Sequence, residues 1–211
     1  MPVIISFDIG IKNLACCALR TGHAFNAIDN TPRTEILFWN IISLQSSEEK
    51  RRPPIEELTL RLYEKIDEVV EDMSTKYQVD HIEHVLIENQ PSNLNGSMKS
   101  IQMALYNYFM LRRHWEGRVS SVHLIHASLK LHNHGEFAEN LRKNAPSFSN
   151  SYRVNKWLAV QICKYYIAHD VHIKEYFERH KKCDDLADCC LQAISWCRKN
   201  LVTVDPFAIY T

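Results

Sequence analysis

Val3-Ile4-Ile5-Ser6-Phe7-Asp8-Ile9-Gly10-Ile11-Lys12-Asn13 lies at the start of the chain. Val3, Ile4, Ile5 and Phe7 form a short, nearly continuous apolar run, the pattern of a strand buried on both faces. The run closes on Asp8, and a carboxylate there is costly unless its charge is compensated. Gly10 permits a tight turn or a close approach of backbone to ligand. Open α/β sheets place their chemistry at such strand ends. Asp8 alone is no more than a solvated strand terminus, so its meaning depends on whether other acids reach the same place.

The 211 residues, 45% of them hydrophobic, suffice for one substantial core, so a single domain over 1–211 is expected. Seven cysteines suit no disulfide framework; beside other apolar residues they read as reduced, buried thiols of an intracellular protein. Met1-Pro2 runs straight into the strand without a charged leader, and no apolar run reaches the roughly 20 residues of a membrane helix. A soluble protein without membrane partners is expected. The zero net charge conceals an asymmetry. Residues 35–90 hold 6 Lys/Arg against 13 Asp/Glu, whereas residues 97–182 hold 14 against 6. The second stretch is either a set of solvated helix faces or a positive surface for an anionic polymer.

Outward from the first strand, Leu14 to Leu19 reads as a second strand, residues 21–34 as a polar loop, and Glu35 to Leu44 as a third strand. Ile55, Leu58, Leu62, Ile66, Val69 and Met73 recur at three- and four-residue spacing, predicting a long amphipathic helix over 55–77. His84 to Glu88 is another apolar strand ending in an acid, before Asn89-Gln90-Pro91. Asn93 to Ser97 offers a turn, and a helix to about Trp115 buries Ile101, Ala104, Leu105, Tyr108 and Leu111. Val119 to His126 is a fifth strand, and 127–151 is expected to be a mobile loop. Helices follow from Tyr152 to about Ala168 and from Asp184 to Asn200, then an extended tail from Leu201. Trp39, Trp115, Trp157 and Trp196 read as core. The fold class is α/β, with a mixed five-stranded sheet flanked by helices.

Glu88 is therefore a second acid at a strand end, and Lys182-Cys183-Asp184-Asp185-Leu186-Ala187-Asp188 adds a third acidic feature. Asp185 and Asp188 share one helix face. Asp184 or Asp185 suits a capping role. Asp188 sits a turn inside a mostly apolar helix and wants a cation. Four carboxylates from two strand ends and one helix can hold two divalent ions through oxygen alone. Such a pair stabilises both the attacking and the leaving oxygen of a phosphodiester displacement.

Three motifs, Phe7-Asp8-Ile9-Gly10-Ile11-Lys12-Asn13, Ile87-Glu88-Asn89-Gln90-Pro91 and Lys182 to Asp188, resemble the acidic motifs of RuvC-class Holliday-junction resolvases. The resemblance is greatest to the branch from poxviruses and related large DNA viruses, with the yeast mitochondrial resolvases as cousins. It implies a ribonuclease-H-like (RuvC-like) fold, a homodimer, and hydrolase activity as a Mg²⁺-dependent endodeoxyribonuclease. Such an enzyme nicks four-way and branched DNA in pairs with two ions per active site, Mn²⁺ being able to substitute. Asp8, Glu88, Asp185 and Asp188 would hold the metal. Water on one ion would attack phosphorus, and the other ion would stabilise the departing 3′ oxygen.

The family also uses a basic residue between the second and third motifs, and both Lys130 and Lys156 match such positions. Sequence does not choose between them. Lys12, Asn13, Gln90, Lys99, Arg112, Arg113, Lys130, Arg153 and Lys156 are the candidate DNA contacts, positioning phosphates without reading bases. Phe148 or Tyr152 would serve as a junction wedge. Asn89 stands where the viral branch commonly has arginine. By analogy, the setting would be a viral replication compartment.

His126, His132 and His134 lack the spacing of a structural zinc site. Actin-like ATPases and sugar kinases also begin on Asp-x-Gly but need a second lobe and Gly-rich nucleotide contacts, which five glycines do not supply. A related nuclease acting on RNA–DNA hybrids or flaps would share the acids. A non-catalytic DNA-binding scaffold is disfavoured by the complete set.

Overall fold

The computed structural model describes residues 1–25, 32–91, 96–132 and 134–201. Most of the expected turn at 93–97 and the tail beyond 201 lie outside them. Five strands, β1 (Val3–Asp8), β2 (Leu14–Phe25), β3 (Pro32–Ile42), β4 (Ile82–Glu88) and β5 (Val119–Ile125), form one sheet in the order β3-β2-β1-β4-β5. The first three are antiparallel, and β4 and β5 join in parallel, so the sheet is mixed as the element order predicts. The helices are α1 (Ile55–Tyr77), α2 (Gly96–Leu111), α3 (Gly135–Lys143), α4 (Ser151–Ile167), α5 (Val171–Arg179) and α6 (Cys183–Asn200).

Side-chain alternation along β1 divides the core in two. Val3, Ile5 and Phe7 face the layer of α1 and α2, with Leu62, Ile66, Leu105 and Phe109. Ile4 faces the layer of α4, α5 and α6, with Leu158, Ile162, Phe177 and Leu191. Ser6 and Asp8 share the parity of Ile4, and Glu88 that of Leu86. Both acids therefore point toward α6.

That helix is the most enclosed element. Every residue from Leu186 to Cys197 is buried, Asp188 and Gln192 included. Trp39 Nε1 of β3 donates to the Leu186 carbonyl at 3.0 Å, and its ring stacks on Phe177 of α5 at 5.2 Å. Gly10 follows β1 where a Cβ would stand 2.4 Å from the Asn13 carbonyl oxygen, so the turn admits no larger residue. All seven cysteines are free and only Cys183 is not fully buried, matching the packing role expected of them.

Several expectations are corrected. Backbone pairing carries β2 past Leu19 to Phe25 and starts β3 at Pro32, because a polar ribbon has no apolar signal to extend the strands. Residues 127–151 are not one loop: Ala127–Leu131 is a 3-10 turn and α3 follows. Both α3 and α5 are nine residues long with one buried side chain each, Ala138 and Phe177, too few to mark a helical period. Trp115 is not core. It is 75% exposed in the π-helical turn Arg112–Glu116 that ends α2, and Leu111 is 58% exposed. Phe109 takes the buried place instead. No helix among the described residues is long and apolar enough to cross a membrane.

Candidate active site

The β1/β4 register pairs Phe7 with Ile87, and continuing it sets Asp8 level with Glu88. Helix α6 is indexed against this pair by Gln192, whose Nε2 donates to Ser6 Oγ at 3.0 Å. From Gln192 back to Asp188 is one helical turn, about 6 Å of rise. From Ser6 on to Asp8 is two strand residues, about 6.6 Å. The near-equal steps carry Asp188 to the level of Asp8. Asp185 lies a further turn toward solvent.

These four acids line one cleft of about 610 Å³, together with Gln90, Lys130, Arg142, Tyr152, Asn155 and Lys156. The sequence-predicted Asp8, Glu88, Asp185, Asp188, Lys130, Lys156 and Gln90 are thus brought together. Gln90 is fixed from both ends: its backbone N–H donates to Gln102 Oε1 at 2.7 Å, and its Nε2 to Glu88 Oε1 at 3.4 Å. Lys99 reaches Asn89 Oδ1 at 2.9 Å, beside the cleft.

The other expected contacts are more distant. Lys12 and Arg153 are exposed and, with the half-buried Asn13, do not line the cleft. Arg112 lies 13 residues along from Lys99, about 20 Å by helical rise. There it pairs with Glu116 at 2.8 Å and with Asp67, and Arg113 is exposed beside it. The sequence reading missed Arg142 and Asn155 as cleft residues. Arg142 lies on α3, whose single buried residue gives the sequence no helical period, and Asn155 is an uncharged helical residue that carries no signal by itself.

The centre is crowded with negative charge. Burial first, then the neighbouring Glu88 carboxylate, holds Asp8 well above the usual carboxylate range, although Lys130 opposes the shift. Burial raises Asp188 to about 6 despite the adjacent ammonium, and raises Asp185 too, with Asp184 adding to it. Lys130 Nζ stands between the acids, 2.6 Å from Asp188 Oδ2 and 3.4 Å from Glu88 Oε2. Burial alone would lower the Lys130 pKa. Asp188, Glu88 and Asp8 outweigh it and hold the ammonium above its ordinary value. Lys156 occupies the rim, hydrogen-bonded to Asp184, 3.9 Å from Asp185 and over the Tyr152 ring. The two lysines left open by the sequence are therefore separated: Lys130 touches the inner acids and Lys156 the outer pair.

The four acids offer carboxylate oxygens, which suit a hard divalent cation. Acids this close that resist ionisation are a set awaiting more positive charge than one lysine supplies. The residues fit such ions. Among the described residues, no three His, Cys, Asp or Glu side chains already surround a single ion position.

Several solved structures are similar to this chain over nearly its whole length. The yeast mitochondrial Holliday junction resolvase Ydc2 superposes with a TM-score of 0.56 and 18% identity, over 92% of this chain and 78% of that one. This is the RuvC-like fold. Thermus thermophilus RuvC superposes at 0.53 with 13% identity, over 93% of this chain and 96% of its own. The fowlpox virus Holliday junction resolvase gives 0.53 with 14% identity, over 93% and 99%. RuvC and the fowlpox enzyme are also matched in complexes with Holliday junction DNA. The RuvC-like fold is a ribonuclease-H-like one, as the three motifs imply.

No protein-family model matches the chain. A curated relative, the uncharacterized protein L451 of Acanthamoeba polyphaga mimivirus, is 30% identical over 151 residues, covering 67% of this chain. The chain spans about a third of that relative's length (34%).

Proposed function

We propose that the protein is a structure-selective endodeoxyribonuclease that resolves four-way DNA junctions by paired, symmetric nicks through two-metal-ion hydrolysis. The observation that carries this reading is the convergence of Asp8, Glu88, Asp185 and Asp188 on one cleft of a RuvC-like fold. The resolvases named in the structural comparison, two of them matched with Holliday junction DNA bound, support the substrate.

Asp8, Glu88, Asp185 and Asp188 would hold Mg²⁺, with Mn²⁺ able to substitute. Bound there, divalent ions supply an activated water and neutralise charge that develops on the leaving oxygen. Lys130 keeps the inner acids from repelling one another before ions arrive, and its ammonium then faces the phosphate. Lys156 and Arg142 flank the cleft as phosphate contacts, with Lys99 beside it; they orient the backbone without reading its sequence.

Paired nicking of a two-fold junction requires two active sites, so the active species is a homodimer. The apolar, exposed Met103, Leu111 and Trp115 along α2 and its terminal turn supply a surface for the second copy. The mimivirus relative supports a viral setting, and we place the activity in a viral replication compartment of the host cell.

The test is a panel of synthetic substrates with Mg²⁺. Symmetric nicks in a mobile four-way junction, with linear duplex and RNA–DNA hybrid left intact, are expected. Equal cutting of duplex or hybrid would make the protein a different ribonuclease-H-like nuclease.

A further inference from the structure

Behind Lys130 lies a buried histidine that has no place in the chemistry described so far. His134 is 6% exposed and lies just before α3, close behind the 3-10 turn that carries Lys130. Its Nε2 is 2.8 Å from the Lys130 carbonyl oxygen and 3.1 Å from Ser195 Oγ of α6. Its Nδ1 is 3.1 Å from the Tyr166 hydroxyl of α4.

A carbonyl can only accept, so Nε2 carries the proton and donates to Lys130, leaving Nδ1 to accept from the Tyr166 hydroxyl. Arg198 of α6 in turn donates to that hydroxyl. Ser195 Oγ donates to the His132 carbonyl at 3.1 Å, tying a second point of the same segment to α6. Both ring nitrogens are occupied, which removes His134 from any metal-binding role. Burial holds the imidazole neutral, with its pKa lowered to about 4, as this pattern requires.

We propose that His134 is a positioning residue for the Lys130 ammonium. It anchors the carbonyl of Lys130 to α4 and α6, so that the side chain of the same residue projects between Glu88 and Asp188. Asp188 and Ser195 are on one helix, and the anchor therefore references the cation to the helix that supplies its partner. A side chain displaced by even 1 Å forfeits much of such a contact. The proposal rests on the resolvase reading for its catalytic consequence but not for the anchor itself.

Two readouts separate these parts. Acetylation of Lys130 by an N-hydroxysuccinimide acetate, followed by mass spectrometry, reports its release from the acids, with exposed Lys50 and Lys181 as internal references. Single-turnover junction cleavage and junction affinity report the consequence. His134→Ala is expected to speed Lys130 acetylation at least about fivefold and slow cleavage about ten- to a hundredfold, with junction affinity within about twofold of wild type. His134→Asn, which keeps a short donor, is expected to recover part of both.

Wild-type labelling and cleavage rates in His134→Ala would overturn the proposal. Should that variant fail to fold, Tyr166→Phe removes only the hydroxyl on Nδ1. Unchanged Lys130 labelling in Tyr166→Phe would then overturn it. If the wild-type protein leaves junctions uncut, the resolvase reading falls while the labelling comparison still decides the anchor.

Discussion

Gln192 Nε2 donates to Ser6 Oγ across 3.0 Å, and through this bond the last helix is set in register with the first strand. Both side chains are buried, Gln192 at 1% exposure and Ser6 at 0%. Asp188 and Asp8 stand one step further along each element, so the bond sets how closely the two acids meet. Replacing Gln192 with Leu leaves a buried hydroxyl unpaired, which costs about 1–3 kcal/mol. The expected outcome is a lower Tm together with a cleavage rate reduced more than stability alone explains. Unfolding and single-turnover cleavage measured below the new Tm check it.

Replacing Asp8 with Asn, or Glu88 with Gln, should abolish cutting while junction binding persists. Each variant removes one carboxylate proposed to hold the metal and leaves the proposed phosphate contacts Lys99, Arg142 and Lys156 in place. Because burial and the Glu88 charge disfavour ionised Asp8, Asp8→Asn should also melt higher than wild type in EDTA. Band-shift and thermal-shift measurements on the same preparations test both halves.

Besides the raised Asp8 and Asp185, two buried groups contribute with opposite sign to the pH dependence of stability without divalent ions. Asp188 has a folded pKa of about 6, above its ordinary 3.8. Its contribution is fully present below the unfolded value and is lost as pH rises through about 6. His134 has a folded pKa of about 4, below its ordinary 6.5. Its contribution is present above the unfolded value and is lost as pH falls through about 4. Each is worth on the order of 3 kcal/mol, so they offset one another in the wild type between pH 4 and 6.5. Asp188→Asn should therefore gain stability relative to wild type as pH is raised from 4 to 7, measured by denaturant unfolding in EDTA.

Lys130 competes with an added cation for the same carboxylates. Lys130→Met should bind Mg²⁺ more tightly by calorimetry yet cut junctions at least about a hundredfold more slowly. Lys156→Met, at the rim beside Asp184 and Asp185, should affect Mg²⁺ binding less.

Leu111→Glu combined with Trp115→Glu places two charges on the exposed face after α2. Sedimentation should show the dimer giving way to monomer, with paired nicking lost. Because both side chains are already exposed, the Tm of the monomer should change little.

The sequence made the mixed sheet legible because β1 and β4 are apolar runs that close on an acid and the bodies of β2 and β3 are apolar as well. It exposed three of the acids because they stand out of place: Asp8 and Glu88 close buried strands, and Asp188 interrupts an apolar helix, with Asp185 three residues before it on the same helix face. The short helices α3 and α5 were not legible, since Ala138 and Phe177 alone mark no period. Nor was the choice between Lys130 and Lys156. Which acids each lysine meets depends on where the turn at Ala127–Leu131 and the start of α4 deliver their side chains, and that is set by tertiary contacts. Exposure of Trp115 was invisible for a related reason: an apolar residue at a helix end reads the same whether the chain folds it inward or leaves it to a partner.

The most direct test of the central claim uses a supercoiled plasmid that extrudes a cruciform, with Mg²⁺ and wild-type protein. Paired nicks made within one binding event convert the plasmid to linear DNA, and linear product that vanishes in Asp8→Asn is expected. Accumulation of nicked circles alone, or equal cutting of a relaxed plasmid without a cruciform, would contradict it.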